Sequence, residues 1–229
     1  LPDLAHRFQG LRTRQRYQKR SVRENIILRE VDAVLGRSDW DRSYLWSLAP
    51  NQKYFHVDEI MRPEFYDAKW EIEGAEPYTI FTSGRVDFPK GIHVLVTAVG
   101  LLQREYPDVK LKIAGQYNKT TMTRAIESHI DGLNLRGAIE FLGWIDARRI
   151  RDEMSTSQVF AIASFIENGC NSLQEAMLQG MPCVASYTGG MCTTLEHGVT
   201  GLTFPVGDAV MLAERIRSIF EGRDLAVKL

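Results

Sequence analysis

The chain reads as an α/β protein built on a doubly wound parallel sheet. From Tyr78 onward, short β-rich apolar runs alternate with segments of helical spacing, and parallel neighbours need crossover connections of that kind. A hydrophobic content of 44% over 229 residues supplies enough apolar mass to bury such a sheet.

The amino-terminal part precedes this pattern. Residues 7 to 35 carry Val22, Ile26, Ile27, Val31 and Val34 near a helical period, which predicts an amphipathic helix. Its basic cluster of Arg7, Arg12, Arg14, Arg16, Lys19, Arg20 and Arg23 fits a solvated face, a face that pairs with further protein, or one lying on an anionic membrane surface. A second helix is expected to begin near Ser38, Asp39 and Asp41, residues that cap free backbone N–H groups. Asp39-Trp40-Asp41 spells D-x-D, a pattern that binds metal elsewhere, but capping accounts for it here. Residues 62 to 77, punctuated by Pro63, Gly74 and Pro77, read as a linker.

The alternating series follows in order. "YTIFTSGRV" is the first strand, and Ile92, Leu95, Val96, Val99 and Leu102 form a helix that ends before Pro107. "VKLKIAG" alternates as a strand should, a helix follows over about 121 to 133, and "AIEFLG" is the next strand. A helix from Asp146, the strand "QVFAIA", the helix "SLQEAMLQ", the strand "PCVAS" and a helix from Asp208 to about Phe220 complete the series.

Bulk properties narrow the chemistry. With 28 basic and 29 acidic residues the net charge is −1, so nothing points to nucleic acid as a partner. Cys170, Cys183 and Cys192 match neither a zinc spacing nor a disulfide framework, which favours a reducing compartment. No apolar run is long enough to span a membrane and no signal peptide opens the chain, so a cytoplasmic location is expected.

In an open α/β sheet, ligands bind beyond the carboxyl ends of the strands. After the first strand come Gly84, Arg85 and Lys90, with Gly91 opening the helix. They are either surface cations or a diphosphate site, in which charge-assisted bonds and a helix N-terminus act together. The loop is neither a P-loop nor G-x-G-x-x-G, which weighs against a triphosphatase and a nicotinamide dehydrogenase.

After "QVFAIA" the chain places Glu167, Asn168, Gly169, Cys170 and Asn171 before a helix that holds Glu175. The backbone amides there offer a second anion site, and the two carboxylates can accept hydrogen bonds from hydroxyls. Ser172-Leu173-Gln174-Glu175 also matches an S-x-x-E capping box, so Glu175 is either a cap or a ligand.

Taken together, "GRVDFPKGIHVLVTAVGLL", "VKLKIAG", "IEFLGW", "ENGCNSLQEAMLQGMPCVAS", "GG" and "EHGVTGLTFPVGD", in this order over roughly residues 78 to 222, resemble the carboxyl-terminal donor-binding domain of glycosyltransferase family 4. The resemblance implies the GT-B fold, in which two Rossmann-like domains face each other across a cleft. Residues 1–62 would be the end of the acceptor-binding domain with its linker, most of that domain being absent, and 63–229 the nucleotide-sugar domain. Arg85 and Lys90 would hold the donor diphosphate together with Gly84 and the amides of Asn168, Gly169, Cys170 and Asn171. Glu175 would take the ribose, Glu167 the transferred sugar, and Leu142, Gly143 and Trp144 the nucleobase. Cys170 is a departure, since many members have glycine or proline there.

The implied activity is transfer from a UDP or GDP sugar to a glycan or lipid-linked acceptor in bacterial surface polysaccharide synthesis, with retention and with no metal or cofactor. Arg85, Lys90 and Glu167 would serve the reaction, at the inner face of the membrane, and this chain alone would transfer little. A nucleotide-sugar 2-epimerase and a non-catalytic nucleotide-sugar binding domain are the alternatives.

Overall fold

The computed structural model describes residues 2–229, with side chains from Thr13 onward. The chain divides into two compact units, Leu1–Asp58 and Glu59–Leu229.

The first unit holds helix α1 (Pro2–Glu30), strand β1 (Ala33–Gly36), helix α2 (Asp39–Leu48) and strand β2 (Lys53–His56), with β1 and β2 paired in parallel. The helix expected to reach residue 35 ends at Glu30, and Val34 lies in β1. Gln52 Nε2 donates to the Arg29 carbonyl at 2.7 Å, taking a terminal carbonyl that the helix leaves unsatisfied. Strand pairing then overrides the helical spacing of Val34, while the Val31 amide still donates to the Ile27 carbonyl at 3.1 Å. Of the basic cluster, the side chains of Arg7 and Arg12 lie outside the described residues, while Val22, Ile26 and Ile27 are exposed.

Helix α2 starts where the capping residues predict. Ser38 Oγ accepts from the Asp41 amide at 3.2 Å. Asp41 itself accepts from the Arg37 amide at 2.9 Å and the Tyr54 hydroxyl at 2.7 Å. Burial and the neighbouring carboxylate push the Tyr54 phenol up to about 12.

The second unit opens with a 3-10 turn, Pro63–Phe65, and continues through β3 (Glu76–Ser83), α3 (Ile92–Leu102), β4 (Lys110–Ala114), α4 (Thr121–Gly132), β5 (Ile139–Gly143), α5 (Ala147–Thr156), β6 (Ser157–Ile162), α6 (Asn171–Leu178), β7 (Cys183–Ser186), α7 (Met191–Thr194), β8 (Leu202–Phe204), α8 (Ala209–Glu221) and α9 (Arg223–Lys228). Six parallel strands run in the order β5-β4-β3-β6-β7-β8. This is the doubly wound sheet that the sequence predicts. The central strand β6 is buried along its whole length, as a parallel strand covered on both faces must be. Strand β8 and helices α7 and α9 carry no readable period, being only 3, 4 and 6 residues long.

The 62 to 77 segment is not a free linker. Phe65 is fully buried, and Trp70 is buried with its Nε1–H donating to the Ser157 carbonyl at 2.8 Å. Punctuation by proline and glycine hid two aromatic anchors that dock this segment beneath the start of β6. Among the described residues, no helix is long and apolar enough to cross a membrane.

Candidate functional site

The strand order reverses between β3 and β6, and a doubly wound sheet opens its ligand crevice at the carboxyl ends of such a pair. Loop 84–91 leaves β3 here and loop 163–170 leaves β6. The Phe165 amide donates to the Pro89 carbonyl at 2.9 Å, which stitches the two loops together. Gly91, at the N-cap of α3, has φ 69°, and a Cβ on it would lie 1.9 Å from the Ala163 carbonyl oxygen. Only glycine allows both the left-handed backbone and that approach. The His93 ring stacks on Phe165 with centroids 5.5 Å apart and meets Phe88 edge-on at 4.9 Å, so one aromatic set braces both loops.

A third loop supports the second. The Gly190 amide and Thr188 Oγ1 donate to the carbonyls of Glu167 and Phe165 at 2.9 and 3.0 Å. Gly189 has φ 51°, and its missing Cβ leaves room for the Glu167 backbone. The local sequence around Gly189 and Gly190 carries no sign of this bracing role.

Between the loops lies a cleft of about 640 Å³. It is lined by Gly84, Arg85, Lys90, Trp144, Glu167, Gly169, Cys170, Asn171 and Glu175 among the predicted residues, and by Glu59 to Arg62, which the sequence did not suggest. Asn168, Leu142 and Gly143 are not part of the lining. Leu142 packs against the core, and Gly143 closes β5, its carbonyl accepting from the Gly115 amide at 2.7 Å. Trp144 stands at the cleft with 80% of its surface exposed.

Charge in the cleft is paired. Lys90 Nζ forms a short ion pair with Glu167, and Ser164 Oγ lies 3.4 Å from the same carboxylate. Arg85 reaches Asp87 at 3.2 Å but is otherwise largely in solvent. Asp87 also accepts from the Lys90 amide at 3.0 Å, which shapes the turn that carries both cations.

Helix α6 begins with Cys170 at its N-cap, so the expected capping box is not formed. Ser172 lies inside the first turn and donates to the Ser83 carbonyl at 3.2 Å. Its hydroxyl thereby ties α6 to the end of β3 and leaves the capping position to a residue without an oxygen. Burial pushes the Cys170 thiol above its ordinary value, consistent with an inert, packed sulfur.

Glu175 does not face the helix start either. Both of its oxygens are held by Arg62, whose Nε and terminal nitrogen donate at 2.6 and 2.7 Å. The Arg62 guanidinium also lies over the Phe65 ring at 4.9 Å. A signal existed in the pair Arg62-Pro63, since proline restricts the residue before it to extended backbone. Nothing in the sequence gave its partner 113 residues away.

Comparisons with known proteins bear on the fold and the family. The chain is 27% identical to glycogen synthase of Mycobacterium tuberculosis over 166 residues, which is 71% of this chain and 39% of that protein. The structure of sucrose-phosphate synthase from Thermosynechococcus elongatus, a GT-B protein, superposes with a TM-score of 0.83 at 25% identity, covering 92% of this chain and 54% of that one. Anabaena HepE, solved in complex with UDP-glucose, gives 0.75 at 21% identity over 86% of this chain and 56% of its own, a likeness of fold alone. The chain thus spans about two fifths to somewhat over half the length of these relatives. The family model described as glycosyl transferases group 1 matches residues 64–229, which hold the whole six-stranded sheet, and the chain belongs to that family.

Proposed function

We propose that this chain is the donor half of a family 4 glycosyltransferase, which binds a UDP or GDP sugar in the cleft between β3 and β6. The observation that carries this reading is the convergence of Arg85, Lys90, the start of α6 without a side-chain cap, and the carboxylates of Glu167 and Glu175 in the lining of one cleft. Cations and amides suit a diphosphate, and carboxylates suit sugar and ribose hydroxyls. Trp144, exposed at the cleft, offers a flat surface to the base.

Catalysis would lie in stabilising charge that develops on the departing diphosphate, through Arg85, Lys90 and the amides from Gly169 to Asn171. Lys90 must leave Glu167 at least in part to do so, freeing that carboxylate for the hydroxyls of the transferred sugar. The leaving diphosphate takes the acceptor proton and the sugar is transferred with retention, which needs no nucleophilic carboxylate and no metal. Glycogen synthase in Mycobacterium tuberculosis and an amylovoran biosynthesis glycosyltransferase in Erwinia amylovora support a polysaccharide setting. The acceptor, a glycan or a lipid-linked one, would be held mainly by protein that precedes residue 59, at the cytoplasmic face of the membrane.

Calorimetric titration of UDP, GDP and their sugars tests the reading. Replacing Arg85 and Lys90 together by alanine is expected to weaken UDP binding about 100-fold or more, because two charge-assisted contacts are lost. An unchanged affinity in that double variant overturns the donor-site assignment.

A further inference from the structure

The Arg62–Glu175 pair has no counterpart in the chemistry assigned so far. Segment 59–62 lies along the cleft and is held at both ends: Asn171 Nδ2 donates to Glu59 at 2.9 Å, and Arg62 grips Glu175. Pro63 fixes the backbone of Arg62 in extended form, at φ −66° and ψ 141°. The Glu175 side chain is 2% exposed while that of Arg62 is 43% exposed, so the guanidinium is the solvent-side partner and covers the carboxylate. Both Glu175 oxygens are engaged in the two-pronged geometry typical of strong arginine pairs.

We propose that Arg62 is a specificity-determining residue of the donor cleft, its guanidinium occupying the ribose position at Glu175 so that a ligand gains there only by displacing it. This rests on the donor-cleft reading above. A ribose carries two adjacent hydroxyls, and both can donate to the two oxygens that Arg62 now uses. A bare diphosphate has no donor to offer Glu175 and leaves the pair closed. Arg62 therefore holds down the preference of the cleft for a nucleoside diphosphate over other polyanions that Arg85 and Lys90 attract equally, because only the nucleotide competes with this internal pair.

Binding of UDP and of inorganic pyrophosphate to the wild-type chain, R62A and R62K tests this by calorimetry. Loss of one positive charge from the cleft weakens both anions alike, so the readout is the ratio of their affinities. In R62A the preference for UDP over pyrophosphate is expected to rise about fivefold, the competitor for the ribose position having been removed. R62K keeps the charge but cannot bridge both oxygens, and its ratio is expected to rise less. Should R62A not fold, R62K decides alone. An unchanged or falling ratio overturns the proposal, since it makes Arg62 a support for Glu175 rather than its competitor. If the wild-type chain binds neither probe, the donor-cleft reading fails and the proposal falls with it. If UDP binds and the Arg85 and Lys90 double variant abolishes it while the Arg62 ratio stays flat, only the Arg62 proposal fails.

Discussion

Glu167 and Glu175 look alike in the sequence but stand in different surroundings. Glu167 sits in a loop beside Lys90 and Ser164, while Glu175 is buried on α6 beneath Arg62. Between the loop of Glu167 and the loop after β3, His93 is the titratable member of the aromatic brace. Its Nδ1 is buried without a hydrogen-bond partner, and burial, with His129 adding to it, lowers its pKa below the ordinary value of 6.5. The unfolded chain binds this proton more readily than the folded one. The histidine's contribution is therefore complete above about pH 6.5 and is lost as pH falls below it. His93→Phe keeps a ring between Phe88 and Phe165 and removes the titration. The expected result is a smaller drop in thermal midpoint between about pH 7.5 and pH 5.5 than in the wild-type chain. An equal drop in both proteins would mean that protonation of His93 is not coupled to the brace.

At the scale of elements, the segment after residue 62 is the informative case. Its indole hydrogen bond to Ser157 crosses 87 residues and anchors the chain beside β6. Trp70→Phe retains most of the buried area but leaves the Ser157 carbonyl without its donor, so a loss of about 1–3 kcal/mol in unfolding free energy is expected from denaturant titration. A change well below that would place water at the carbonyl.

The same segment shows what a sequence pattern carries. The long strands and α3, α4 and α8 were legible from local pattern, as an apolar run through Ile80 and Phe81 in β3 or as helical spacing such as Ile216 and Ile219 in α8. The docking of Phe65 and Trp70, the ending of α1 at Glu30 and the capture of Glu175 by Arg62 depend on partners 20 to over 100 residues distant, for which local spacing holds no record. The false capping box is the converse. Ser172 and Glu175 have the right spacing, but each side chain finds a stronger partner outside the helix. The cleft itself was largely legible, since its cations, glycines and carboxylates fall at strand ends, and strand ends follow from the alternating pattern.

For the whole molecule, the question is where the second unit begins. The family resemblance places the boundary between residues 62 and 63, whereas the compact unit begins at Glu59. The difference of four residues has a physical meaning. The continuous core of this unit runs from Phe65 to Ala226, so a fragment starting at either position keeps its core. Only a fragment that starts at Glu59 keeps Arg62 over Glu175 and Glu59 on Asn171. Breaking a buried pair by removing one partner leaves an uncompensated charge, at a cost that reaches about 3–5 kcal/mol when the site stays dry. Because Arg62 is partly in solvent and the cleft admits water once it is gone, the lower part of that range is expected. Residues 59–229 should therefore unfold in one cooperative transition and bind UDP as the 229-residue chain does, whereas residues 63–229 should unfold at a midpoint lower by roughly 5–10 °C. Differential scanning calorimetry of the two fragments gives the comparison directly. Equal midpoints would show that segment 59–62 does not stabilise the unit, and would place its beginning at Pro63.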